Sequence, residues 1–173
     1  VKIAPGPGAD FDAQSAIDGR RVSQIALDSL GKGEAGAVAF NPGNGRLYVL
    51  APRTSEVHEV TLDGQATGLM DLAALGLSNA SGMTFAPSGD ATDDPAAMSL
   101  FIADRGQAGH QGLIHEVMPL DGAPARIEAP AMANIASTLV QIIDTSQWSP
   151  PSPDASGVVY NAALEQLWVV DIE

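Results

Sequence analysis

Three carboxylates, Asp90, Asp93 and Asp94, fall within the short run Gly89-Asp90-Ala91-Thr92-Asp93-Asp94-Pro95. Ca²⁺ takes this residue type as ligand, because a hard cation prefers anionic oxygen. The run misses the EF-hand spacing and lacks that loop's closing Glu, so it reads equally as a solvated acidic insertion. A second set is dispersed along the chain. Glu34, Asn79 and Asp154 each stand two or three positions before a recurring Gly (Gly36, Gly82, Gly157). Brought together, their oxygens could hold Ca²⁺; kept apart, they would cap tight turns by accepting from nearby backbone N–H groups. Asp104 and Asp171 close two matching apolar stretches, either fixing the turns that follow or serving in catalysis. Arg105 and His110 lie in the Gly-rich stretch Arg105–Gly112 and are candidates for contacting a substrate. His58 and His115 occupy matched positions in Val57-His58-Glu59-Val60 and Ile114-His115-Glu116-Val117, which predicts strand-surface roles. No residue can be named as catalytic, because no nucleophile elbow, zinc-protease His pair or dinucleotide-binding Gly motif is present.

The elements that must position these residues repeat. Gly36 to Phe40 (with one extra residue), Gly82 to Phe85 and Gly157 to Tyr160 each run from Gly through an apolar and a variable residue to an aromatic. A turn follows each. Then come Leu47-Tyr48-Val49, Leu100-Phe101-Ile102 and Leu167-Trp168-Val169. Alternating aromatic and β-branched residues bounded by turn residues predict a β-hairpin, strands a and b. Glu56–Gly64 and Leu113–Gly122 supply a third strand, c, running into Leu-Asp-Gly. Short apolar stretches ending at Asp28, Asp71 and Asp144 supply a fourth, d.

From Val38 to Met83 the step is 45 residues. Four short strands at about that period are the pattern of a β-propeller blade. The expected fold is therefore all-β, with antiparallel four-stranded blades of which about two and a half are present. Residues 1–21 form an N-terminal extension and 22–173 a partial propeller. Within it the blades span about 33–72 and 79–144, with a partial blade at 154–173 and a Pro-rich insertion at about 123–153. Because known propellers need about four to eight blades to close, the remaining blades are expected from the same protein or another chain. Open sheet edges would also permit self-association.

Composition narrows the partners. Of 173 residues 45% are hydrophobic, enough for a core and against disorder. Asp and Glu number 21 against 8 Lys and Arg, a formal charge of −13, which repels phosphates and argues against nucleic acid. No apolar run approaches the ~20 residues of a helical membrane span, and the N-terminus lacks the basic-then-apolar pattern of a signal peptide. Cysteine is absent, which excludes disulfides, thiolate metal sites and a cysteine nucleophile.

The stretches Asn79-Ala80-Ser81-Gly82-Met83-Thr84-Phe85, Ser99–Asp104 and Asp154–Glu173 resemble six-bladed, calcium-dependent propellers. That group contains NHL-repeat proteins, senescence-marker-protein-like lactonases, and the esterase-like phytase and SdiA-regulated families. The pattern from Asp154 through Ser156-Gly157 and Tyr160 to Leu167-Trp168-Val169-Val170-Asp171 looks most like the phytase-like branch. The resemblance implies a six-bladed ring and Ca²⁺ as cofactor. It leaves two functions open. One is an extracellular or periplasmic binding or scaffolding module of a larger acidic protein. The other is part of a Ca²⁺-dependent hydrolase acting on phosphate esters or lactones.

Overall fold

A computed structural model describes residues 2–5, 19–23, 30, 35–94, 96–106, 112–120 and 132–171. All thirteen extended elements among them are strands, with only short 3-10 turns between. None of the described helices is long and apolar enough to cross a membrane.

Over residues 37–119 and 137–171, strands form where alternation and turn chemistry predict them. β1 (Lys2–Pro5) and β2 (Gly19–Ser23) pair antiparallel across the boundary drawn at residue 21. β3 (Ala37–Asn41), β4 (Arg46–Ala51), β5 (Glu56–Val60) and β6 (Ala66–Asp71) make an antiparallel meander. β7 (Ala80–Pro87), β8 (Met98–Asp104), β9 (Leu113–Pro119) and β11 (Ser137–Asp144) make a second. β12 (Ala155–Asn161) and β13 (Gln166–Asp171) form a third, two-stranded sheet. These are strands a, b, c and d of the repeat in order. The d strand expected to end at Asp28 lies outside the described residues.

Three strands were not legible: β1 and β2, which the sequence pattern does not predict, and β10 (Ala133–Asn134). The last, inside the Pro-rich insertion, pairs in parallel with β6 of the first sheet. Ile135 N–H continues the ladder to the Leu69 carbonyl at 2.8 Å, and the Ile135 side chain sits over Gly68, where a Cβ would collide with it. The insertion thus leaves the second sheet and covers the outer edge of the first, which shields backbone groups that would otherwise invite pairing.

The sheets stack face to face, with β7 against β3 on one side and against β12 on the other. Period-2 alternation sends one set of side chains to each neighbour. Between the first two sheets lie Tyr48, Leu50, Val57, Met70, Met83, Phe85, Leu100 and Ile102. The Tyr48 and Phe85 rings meet edge to face at 4.8 Å. Phe101, Ala103 and Ile114 of the second sheet pack with Ala155 and Val158 of the third. Leu100 and Ile102 are fully buried, each contributing roughly 2 kcal/mol of apolar burial.

The repeated Ser-Gly has a physical reason. A bulge at Ala80/Gly82 and another at Ala155/Gly157 bring β7 and β12 backbone to backbone. A Cβ on Gly82 would lie 2.7 Å from the Gly157 Cα, so only glycine fits. Ser81 Oγ donates to the Ser156 carbonyl across this seam at 2.9 Å.

Candidate functional site

The ends of the b strands and the starts of the a strands meet along one rim, and most of the candidate residues are there. Asp104, the last residue of β8, is buried. Its carboxylate accepts from the backbone N–H of Ser78 (2.8 Å), Asn79 (2.7 Å) and Gly106 (3.0 Å). Charge-assisted bonds of this kind are about twice as strong as neutral ones. Asp104 is thus the clasp of its corner, joining the entry of β7 to the exit of β8. Asn79 takes part through its backbone, and its side chain is exposed.

Next along the rim, Arg105 reaches the third sheet. Its Nε donates to Asp154 Oδ1 at 2.6 Å and its Nη2 to Oδ2 at 3.1 Å. The hydrogen bond to Arg105 holds the Asp154 carboxyl below the usual aspartate range, and Asp154 raises Arg105 in turn. Two sequence-derived candidates, one assigned to metal and one to substrate, are therefore brought together as an ion pair between neighbouring sheets. Glu34 and His110 lie outside the described residues.

The acidic loop folds on itself. Asp90 Oδ1 accepts from Thr92 N–H (2.8 Å) and Oγ1 (2.7 Å), which lowers its pKa. Asp94 accepts from Ala96 N–H at 2.9 Å and Asp93 from Ser88 Oγ at 2.6 Å. Asp and Ser side chains make such local turns readily. Its anchor escaped the reading of the sequence. Glu116, fully buried, accepts from Gly89 N–H at 2.8 Å and Gln141 Nε2 at 2.6 Å. The matched Glu59 does the same in the first sheet with Tyr48 Oη (2.9 Å) and Thr67 Oγ1 (2.5 Å). Burial, reinforced by Glu59, pushes the Tyr48 phenol up to about 12. The signal was present in the repeated His-Glu pair, whose Glu faces the following sheet.

His58 and His115 are equivalent by register, paired with Val49 and Ile102 respectively. Against the strand-surface role expected of them, both are buried, because the inward face of each central strand is covered. Burial lowers the His115 pKa, partly offset by Asp104, whose Oδ2 is 3.9 Å from Nε2. Neither ring nitrogen of His115 has a hydrogen-bond partner. Among the described residues, no three His, Asp or Glu side chains converge as a metal site would require.

A cleft of about 790 Å³ opens at the third sheet's corner, lined by Trp148, Pro150, Pro151, Ser152, Val169 and Asp171 among others. Buried Thr145 positions its wall: its N–H donates to the Gly112 carbonyl, and its own carbonyl accepts from Ser152 N–H, both at 2.9 Å. Asp144 starts the turn by accepting from Ser146 N–H at 3.0 Å. Two buried oxygens belong to this lining and lack partners, Asp171 Oδ1 and Ser152 Oγ. Comparisons with known protein families, with curated proteins and with solved structures return no match to this chain.

Proposed function

We propose that this chain is a run of β-propeller blades serving as a binding or scaffolding module, its end faces completed by further sheets of the same kind. One observation carries it. Val38, Met83 and Val158 hold the same register position in the three sheets; Met83 and Val158 are 6% and 8% exposed between sheets, whereas Val38 is 61% exposed. At the other end, Trp168 is 50% exposed where its equivalents Tyr48 and Phe101 are 2% exposed. Val159 and Val170 share that bare face. A repeat that buries these positions wherever a neighbour exists is built to receive a neighbour at each end. The stacking of β7 on β3 and on β12, with the d strands β6 and β11 on the side away from that stack, suits a radial arrangement.

A binding role is favoured over hydrolysis because Asp90, Asp93, Asp94, Asp104 and Asp154 each serve a local turn, corner or ion pair. Ca²⁺ titration by calorimetry checks this: uptake with a stoichiometry near one and loss of binding in Asp154→Asn would move the reading to the calcium-dependent hydrolase. For the end faces, sedimentation over a concentration series is the test. Association that buries Trp168, read as a blue shift of its emission, and that weakens in Trp168→Glu is expected. A monomer with solvent-exposed Trp168 at every concentration would overturn the proposal.

A further inference from the structure

The three sheets repeat closely enough that the two corner carboxylates can be compared donor by donor. Asp171 pairs with Ala155 as Asp104 pairs with Ala80. One step earlier Asp154 therefore matches Asn79, and before it Pro153 matches Ser78. In the second sheet the Ser78 N–H satisfies Asp104 Oδ2. Proline has no N–H to give. The third sheet thus keeps the carboxylate and removes one of the three donors; the Asp154 N–H, matched to that of Asn79, does not bond Asp171 Oδ1, which is buried without a partner. Asp171 also lines the cleft under Trp148.

We propose that this cleft binds an organic cation, an alkylammonium or guanidinium group, with Asp171 as its counter-ion and the Trp148 indole as its aromatic face. The chemistry fits the lining. Ser152 also lines the cleft, and its Oγ is a second buried oxygen without a partner. Trp148 is 43% exposed, and an indole face is the strongest side-chain partner for a cation. Pro150, Pro151 and Val169 give an apolar wall for the alkyl part. Arg105, whose charge interacts with Asp171, already makes two hydrogen bonds to Asp154. The formal charge of −13 draws cations and repels anionic ligands. This site stands on the corner of the third sheet and does not depend on whether a ring closes.

The test follows the indole N–H resonances of Trp148 and Trp168 in ¹⁵N-labelled, unmodified chain, with Trp148→Phe assigning them. Probes are n-butylammonium, a terminally blocked lysine peptide, n-butanol, glucose and Ca²⁺. Expected is a saturable shift of the Trp148 resonance with the first two and none with n-butanol. Tighter binding of the peptide than of butylammonium would identify a protein side chain as the natural source, and the reverse a free amine. Asp171→Asn should weaken binding roughly tenfold, and Pro153→Ser should weaken it as well by returning the competing N–H. An equal response to n-butanol, a response confined to glucose or Ca²⁺, unchanged affinity in a folded Asp171→Asn protein, or no saturable shift would overturn the proposal.

Discussion

Two corners of this molecule are built on the same plan and end differently. At the second sheet, Asp104 closes β8 and gathers three backbone N–H groups, and nothing is left over. At the third sheet, Asp171 closes β13 in the same register, yet Pro153 replaces the serine donor and one carboxylate oxygen has no partner. The first sheet has Ala51 at this position, with no carboxylate at all. The difference teaches that a repeated residue is not a repeated role. What Asp does here depends on which backbone N–H groups the entry to strand a offers it, two strands' length away in the chain and adjacent in space.

The largest break should come at the seam that holds the two corners in register. Gly82→Ala places a methyl 2.7 Å from the Gly157 backbone and should cost about 3 kcal/mol by forcing the sheets apart, measured as a lower urea midpoint. The comparison itself is sharpened by removing each carboxylate. Asp104→Asn turns one of the two accepting oxygens into a donating amide and removes the charge, which should cost about 2 kcal/mol. Asp171→Asn at the unpartnered corner should leave the midpoint almost unchanged. Equal effects of the two variants would show that the corners are equivalent after all.

A smaller effect is expected from pH. His115 is held neutral by burial, its pKa below the ordinary 6.5, with the Asp104 charge as the opposing influence. The unfolded chain therefore takes up a proton before the folded one does. The stability contribution is complete above pH 6.5 and falls as pH drops from there through the folded pKa. His115→Gln should flatten this slope in denaturation curves recorded across that range.

The smallest effect concerns the ion pair between the corners. Asp154 has a depressed pKa, so its contribution is present above the ordinary value of 3.8 and is lost as pH falls through the folded pKa. The stability difference between the native chain and Asp154→Asn should therefore vanish in acid. A difference that persisted there would assign Asp154 a role other than its charge on Arg105.

The strand repeat was largely legible because it rests on local physics. Alternation, aromatic placement and turn residues fix hairpins whichever sheet they join, and the a, b, c, d order follows from them. The equivalence of His58 with His115 was readable for the same reason. So was the turn-fixing alternative for Asp104, because an Asp at a strand end competes for nearby N–H groups.

The sequence by itself determined which residues are equivalent: the spacing of Leu47, Leu100 and Leu167, and of the three glycines, is a property of the chain. Only the tertiary structure decided what each equivalent residue does. Strand β10 crosses to the first sheet because the Gly68 surface accommodates Ile135, a fit that no local pattern encodes. Arg105 meets Asp154 across 49 positions. Glu116, an ordinary acid in the sequence, is buried and anchors the aspartate loop. The physical reason is common to all of these. Burial and hydrogen-bond satisfaction depend on what a neighbouring sheet brings within about 3 Å, and that neighbour is set by stacking rather than by distance along the chain.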